Sequence, residues 1–93
     1  MDEASSALAA RLSRRLKEAS ATIAVAESCT GGLLASTLTD ISGSSEWFSH
    51  GWITYSNKSK IEQLDVDEEL LNEYGSVSVE VAQAMADGAR EHA

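Results

Sequence analysis

The segment that most constrains the fold of this chain is a short apolar run followed by two glycines and a second apolar stretch. The run Thr22–Ala26 consists of β-branched and small apolar residues, which predicts a buried strand. After Gly31 and Gly32, apolar side chains recur at helical spacing, which predicts a helix over residues 30–41. A strand that leads through a tight turn into a helix is the building unit of α/β folds.

Three side chains that can act as nucleophiles, Ser28, Cys29 and Thr30, occupy the turn between this strand and this helix. A helix that begins here would direct unpaired N–H groups and the positive end of its dipole at them, which stabilises a phosphate or a developing oxyanion. The glycines would let a ligand approach the backbone closely. A structural interpretation is also open, because serine and threonine cap helices and glycines form tight turns.

One strand and one helix flank this unit in the sequence. Leucines four residues apart predict an amphipathic helix over Asp2–Ala19. Aromatic and β-branched residues predict a second strand over Trp47–Tyr55, in which Gly51 marks either a bulge or a close backbone approach. Four small polar residues at positions 42–45 predict a loop before this strand.

Three further helices are predicted after the second strand. Each would follow a residue that commonly caps helices, namely Ser56, Asp67 and Ser78. The last helix would direct inward the side chains of Val81, Ala82, Met85, Ala86 and Ala89.

Only two segments predict strands strongly, and two strands make a poor sheet. We therefore expect further strands to follow the last helix or to come from a partner chain. An unpaired sheet edge and uncovered faces predict that this chain alone exposes apolar surface or self-associates, so we expect a homo-oligomer.

Composition narrows the class of protein and of partner. The 93 residues suffice for one small domain, and 15 acidic against 7 basic residues give a net charge of −8. Such a surface repels polyanions, so we expect neither nucleic acid nor an anionic membrane as a partner. Cys29 is the only cysteine and no long apolar stretch is present, which predicts a cytoplasmic protein. No cluster of side chains has metal-ligand spacing, so we assign no metal and no cofactor.

A second candidate site lies at Tyr55 and Lys60, where the predicted second strand ends and the next helix begins. A lysine in the first turn of a helix opposes the helix dipole, and one that loses its proton can act as a general base. Ser–Lys pairs are a known alternative to Ser–His pairs. Lys60 could equally be a solvated surface residue, and Tyr55 an ordinary core or edge aromatic.

Four segments together resemble the C-terminal domain family of the competence/damage-inducible protein CinA, which includes the nicotinamide mononucleotide amidohydrolases. They agree with that family in content, order and spacing over most of the chain. The segments are Ala26–Gly32, Gly43–Phe48, Tyr55–Asn57 together with Lys60, and Gly75–Ser78 with the helix that follows.

This resemblance implies a three-layer α/β/α sandwich and a reaction. The reaction is hydrolysis of the carboxamide of nicotinamide mononucleotide to nicotinic acid mononucleotide and ammonia, without a metal. Ser28 matches the nucleophile, Lys60 the lysine that activates it, and Tyr55 an assisting tyrosine. The implied substrate-binding residues are Thr30, Gly31, Gly32, Ser44, Ser45 and Asn57. Cys29 is the alternative nucleophile, because thiolates also hydrolyse amides.

The family domain continues past the last helix with further strands, a glycine- and proline-rich loop and an arginine of the active site. None of these is present in residues 1–93, so we interpret the chain as a single partial domain, truncated after the last helix. Arg90 lies before that missing part and is not assigned the role. The competing hypothesis is a non-catalytic nucleotide-binding or assembly module that retains the family scaffold.

Overall fold

The computed structural model describes residues 2–93. Five α-helices, one 3₁₀ turn and two strands follow one another in this part of the chain. Their bounds are Glu3–Ala19 (α1), Ile23–Glu27 (β1), Leu33–Thr39 (α2), Ser44–Glu46 (the 3₁₀ turn), Phe48–Ile53 (β2), Asn57–Leu64 (α3), Glu68–Tyr74 (α4) and Val79–His92 (α5). Every predicted helix and strand is present, and part of the predicted loop at positions 42–45 belongs to the 3₁₀ turn.

Side-chain caps fix where four of the helices begin. Asp2 accepts a backbone N–H from the first turn of α1. Ser56, Asp67 and Ser78 do the same for α3, α4 and α5, as the sequence predicts. Helix α2 is different, because its cap position is Gly32, which has no side chain to accept a hydrogen bond.

The two strands pair in parallel, with an irregularity at one end. Ile23 lies opposite Phe48 and Ala24 lies opposite His50, so Ser49 is an extra residue in β2. The Ser49 hydroxyl donates a hydrogen bond to the backbone oxygen of Ile23 at 3.0 Å. This extra residue is the bulge.

Gly51 does not mark the bulge, so one of its two predicted roles is wrong. Gly51 pairs with Val25 in the regular part of the register, and its backbone does not have a positive φ. The irregularity lies two residues earlier, where the Ser49 hydroxyl holds the displaced backbone.

Helices cover both faces of the sheet, which gives the expected three-layer α/β/α architecture. Val25 and Ala26 are adjacent in β1, and adjacent side chains in a strand point to opposite faces. Val25 packs with Ala9 of α1 and Leu38 of α2. Ala26 packs against a core cluster from α3 to α5, made of Leu64, Val66, Leu71, Val81, Met85 and Ala89.

Helix α5 lies very close to α3. Gly88 is buried, and a Cβ atom built on it would overlap the backbone oxygen of Leu64. Two of the residues expected to point inward do not, because Ala82 and Ala86 are exposed. Their side of α5 faces a region that no part of residues 2–93 covers.

We expect Gly88→Ala to lower the free energy of unfolding by about 1–3 kcal/mol or more, because the added methyl group meets backbone that cannot rotate away. Gly51→Ala is the matched control, since its Cβ would meet the ring of Phe48 at an ordinary 3.5 Å. Urea unfolding followed by circular dichroism measures both. Equal stability of the two variants would contradict the close α3–α5 contact.

Candidate functional site

The carboxyl ends of β1 and β2 meet at one edge of the sheet. Glu27 lies opposite Ile53, and the Thr54 N–H donates to the backbone oxygen of Glu27 at 2.9 Å, which extends the pairing past the end of β2. Ser28 and Tyr55 therefore follow two neighbouring strand ends. Ligands of parallel sheets bind in the crevice outside this edge.

A buried carboxylate organises the turn after β1. The side chain of Glu27 is only 4% exposed. It accepts hydrogen bonds from the Thr30 hydroxyl at 2.7 Å, the Leu34 N–H at 2.8 Å and the Ala35 N–H at 2.9 Å. Glu27 thus takes the place of the missing side-chain cap on α2, a role that the sequence analysis did not identify.

This arrangement corrects the predicted anion site. The first N–H groups of this helix were expected to face the Ser-Cys-Thr cluster, but the carboxylate of Glu27 accepts those of Leu34 and Ala35. The Leu33 N–H donates to the backbone oxygen of Thr30. The first turn of α2 therefore keeps no N–H group for a phosphate or an oxyanion.

Burial alone would raise the pKa of the Glu27 carboxyl. The hydrogen bonds from Thr30 and from the backbone N–H groups of Ala35, Leu34 and Gly32 outweigh it, and they hold that pKa below its usual value of 4.5. The folded state therefore favours the ionised form of the Glu27 carboxyl group.

The glycines of the turn have backbone conformations that other residues rarely adopt. Gly31 has a φ of 61° and Gly32 a φ of 109°. A Cβ on Gly32 would also come within 3.2 Å of the Cδ1 atom of Ile53. These glycines are needed for the turn itself, whatever approaches it.

Ser28 lines a pocket of about 460 Å³ at this edge of the sheet. One wall is the turn that contains Ser28, Cys29 and Thr30. The other is formed by residues 76–78, together with Ala82 and Met85 of α5. Residues 75–78 resemble the family in sequence, but no place in the site was predicted for them. Ser28 is half-buried in this pocket, whereas Cys29 and Thr30 are exposed.

Lys60 is completely buried, with 0% exposure, so the interpretation as a solvated surface residue is wrong. Its Nζ donates to the backbone oxygen of Tyr55 at 3.0 Å. Within residues 2–93, no carboxylate forms an ion pair with it. The side chain of Tyr55 is 73% exposed and that of Asn57, the first residue of α3, is also exposed.

Ser28 and Lys60 lie on the same side of the sheet. The Ser28 pocket is lined by α5, and Lys60 belongs to α3, which packs in the same layer. Both residues are at the carboxyl edge of the sheet. Ser28 directly follows β1, and the Lys60 amine contacts Tyr55, which lies two residues after the end of β2. The structure thus gathers Ser28, Tyr55, Asn57 and Lys60 at one edge.

Ser44 and Ser45 are not part of this group. They form the 3₁₀ turn that precedes β2, so they lie at the amino edge of the sheet. Six residues of β2 separate the two edges, which corresponds to roughly 20 Å at about 3.3 Å per residue. The Ser44 hydroxyl donates to the backbone oxygen of Thr39. In the described part of the chain, Ser44 and Ser45 therefore do not line the Ser28 pocket.

No group of three or more His, Cys, Asp or Glu side chains in residues 2–93 could hold a metal ion. None of the helices described for this chain has the length and apolar character needed to cross a membrane.

We expect Glu27→Gln to lower the free energy of unfolding by about 1–3 kcal/mol at pH 7, because an amide cannot accept all the hydrogen bonds that the carboxylate accepts. The difference from the unchanged protein should narrow with acidification. Since the folded-state pKa of Glu27 is depressed, its stabilisation is complete above about 4.5 and is lost as the pH falls through the folded-state pKa.

Urea unfolding between pH 3 and pH 7 measures this dependence. The matched control is Glu46→Gln, an exposed glutamate that should change stability by less than about 0.5 kcal/mol. A Glu27→Gln effect that stays constant with pH would show that the carboxylate charge does not hold the turn.

Comparisons with known proteins agree with this architecture. The family model described as the CinA C-terminal domain matches residues 5–93. A CinA-like protein of Geotalea daltonii is 59% identical over 75 residues, which are 81% of this chain and 18% of that protein. A CinA-like protein of Shewanella denitrificans is 48% identical over 88 residues, which are 95% of this chain and 21% of that protein.

Solved structures give the same result. The competence/damage inducible protein CihA of Agrobacterium tumefaciens superposes with a TM-score of 0.94 at 38% identity, over 99% of this chain and 56% of that one. A competence-damaged protein (CinA) superfamily protein of Escherichia coli gives 0.93 at 35% identity, over 100% of this chain and 55% of that one. The chain thus spans about a fifth of these curated relatives and about half of these solved chains, and it belongs to the CinA C-terminal domain family.

Proposed function

We propose that this chain bears the nucleophile of an amidohydrolase that converts nicotinamide mononucleotide to nicotinic acid mononucleotide and ammonia. The observation that supports this most is the buried amine of Lys60 at the same strand edge and in the same layer as the Ser28 pocket. A cytoplasmic location, where pyridine nucleotides are used and Cys29 stays reduced, is part of the proposal.

Buried lysines are rare unless they are paired. The Lys60 amine has one hydrogen bond to a carbonyl oxygen and no carboxylate partner in residues 2–93. Such an amine is suited to exchange a proton with a neighbouring hydroxyl group, which is the role of lysine in Ser–Lys hydrolases. The backbone oxygen of Tyr55 orients it, so Tyr55 contributes through its main chain whatever its exposed phenol does.

The proposed reaction has two steps. The Oγ atom of Ser28 attacks the carboxamide carbon while Lys60 accepts the hydroxyl proton, and the tetrahedral intermediate expels ammonia after receiving that proton. Water then attacks the resulting ester, Lys60 again transfers the proton, and nicotinic acid mononucleotide leaves. The sum is amide plus water giving acid plus ammonia.

Donors for the oxyanion would come from the turn. Because Glu27 accepts the first N–H groups of α2, these are not available. The N–H groups of Cys29, Thr30 and Gly31 donate no hydrogen bond within residues 2–93. They are the nearest unengaged donors to Ser28, and Thr30 and Gly31 thereby keep a proposed role in binding.

A second candidate function is a non-catalytic assembly module. It is favoured by one observation, the open edge of the two-stranded sheet. A non-catalytic module that binds a nucleotide phosphate at the start of α2 is less well supported, because the Glu27 carboxylate already accepts the N–H groups there.

The test uses this chain completed with the part of the Agrobacterium tumefaciens protein that it does not cover, with ammonia release from nicotinamide mononucleotide as the assay. We expect Ser28→Ala to lower kcat by about 10⁴-fold or more, because loss of an activated nucleophile is not compensated. Cys29→Ala is the matched control and should retain most activity. An active Ser28→Ala with an inactive Cys29→Ala would make the thiol the nucleophile.

Two substitutions separate a proton acceptor from a positive charge at Lys60. We expect Lys60→Met and Lys60→Arg each to lower kcat by about 10²–10⁴-fold, because arginine keeps the charge but does not deprotonate in proteins. Thermal unfolding of both variants controls for loss of structure. Near-normal activity of Lys60→Arg would assign Lys60 an electrostatic role instead.

A further inference from the structure

Thr54 carries a buried hydroxyl group without a partner. The residue has 0% exposure, and its Oγ1 atom forms no hydrogen bond with any atom of residues 2–93. A buried hydroxyl group nearly always has a hydrogen-bond partner, because leaving one unpaired lowers the stability of the folded state. An exception therefore calls for a reason, and a role in the chemistry of a nearby site is one such reason.

The strand register places Thr54 beside Ser28. Glu27 pairs with Ile53, and the Thr54 N–H donates to the backbone oxygen of Glu27 at 2.9 Å. The next two residues in this register are Ser28 and Thr54. Since neighbouring strands lie about 4.8 Å apart, two hydroxyl groups at this position can form a hydrogen bond when both side chains point to the same face.

Both side chains do point to the same face. Ala26 and Trp52 are paired, and both pack against the core cluster from α3 to α5. Alternate residues of a strand share a face, so the side chains two positions later, those of Ser28 and Thr54, also point towards this layer. Met85 of α5 lines the Ser28 pocket, which agrees with this direction for Ser28.

Lys60 approaches the same point from α3. Its amine donates to the backbone oxygen of Tyr55, the residue directly after Thr54. A lysine ammonium group has three N–H donors, so this contact leaves others for a nearby hydroxyl oxygen. Lys60 has no exposed surface, whereas Ser28 is half-buried and lines the pocket. A proton that moves between Ser28 and the amine therefore crosses a buried layer, and Thr54 belongs to that layer.

We propose that Thr54 is a positioning residue whose hydroxyl group links Ser28 to the Lys60 amine and carries the proton between them. This inference rests on the proposed amide hydrolysis. A hydroxyl group can donate one hydrogen bond and accept another at the same time, as such a link requires. The β-branched side chain of threonine has few χ1 rotamers, so the hydroxyl group is held in place without a hydrogen bond of its own.

The link operates in both halves of the first step. As the Oγ atom of Ser28 attacks the carboxamide carbon, its proton moves to Oγ1 of Thr54 and the Thr54 proton moves to Nζ of Lys60. The proton then returns by the same route to the departing nitrogen as the C–N bond breaks. Ammonia leaves, and Thr54 and Lys60 are regenerated.

The first measurement needs no enzyme activity and uses the unmodified 93-residue chain as its reference. Thr54→Val replaces the hydroxyl group by a methyl group of similar size. We expect the midpoint of urea unfolding to stay the same or to rise, because no hydrogen bond is lost and an unpaired buried polar group is removed. A lower midpoint would overturn the proposal, since the hydroxyl group would then be engaged in holding the fold.

The second measurement uses the completed domain and ammonia release from nicotinamide mononucleotide. We expect Thr54→Val to lower kcat by about 10²-fold or more, a common contribution of a positioned proton-transfer group. KM should change by less than about twofold, because Thr54 has no exposed surface with which to contact substrate. Thr54→Ser keeps the hydroxyl group and should retain kcat to within about fivefold. The matched control is Thr37→Val, which removes a hydroxyl group that bonds within α2 and should leave kcat unchanged.

A purely structural role would not give a variant that is as stable as the unchanged protein, slow in turnover and restored by serine. Near-normal kcat of Thr54→Val beside an inactive Ser28→Ala would overturn the proposed link and leave the amidohydrolase assignment in place. Equal losses of kcat in Thr54→Val and Thr54→Ser would also overturn it. An active Ser28→Ala would instead contradict the amidohydrolase assignment itself, and the link with it.

Discussion

The structure depends on one buried carboxylate, that of Glu27, at the junction between β1 and α2. Helix α2 has a glycine at its cap position, so its first N–H groups would be unsatisfied without another acceptor. Glu27 accepts two of them and also the Thr30 hydroxyl. The same contacts close the turn that contains Ser28. The residue before the candidate nucleophile thus holds the backbone on which that nucleophile stands.

Parallel pairing of β1 and β2 brings this turn next to the residues that follow β2, and together they form the candidate active site. Because both strands end at one edge, the turn after β1 and the residues after β2 become neighbours. Helix α3 begins there and places the Lys60 amine on the backbone oxygen of Tyr55. The same geometry separates the two edges, which is why Ser44 and Ser45 are remote from Ser28 although the family resemblance groups them. It also leaves the second edge of β1 open.

Much of the fold follows from local sequence. Caps such as Ser56 act on the helix that they precede, and strand and helix periods are likewise local, so the five α-helices and both strands could be predicted. The roles of the two buried charged residues, Glu27 and Lys60, could not be predicted in this way. A glutamate at a strand end is ordinarily exposed, and only the packing of α2 over β1 encloses Glu27. Lys60 is buried because α3 packs into the layer below the sheet. Ala86 is exposed because no other element of residues 2–93 covers its side of α5.

The central claim is that Ser28 is the nucleophile of an amide hydrolysis. The most direct measurement is intact-protein and peptide mass spectrometry after rapid acid quenching of the completed domain during turnover of nicotinamide mononucleotide. The account predicts an ester adduct with the mass of the nicotinic acid mononucleotide acyl group, mapped to Ser28. An adduct on Cys29, or turnover with no acylated protein under conditions where deacylation is slowed, would contradict it.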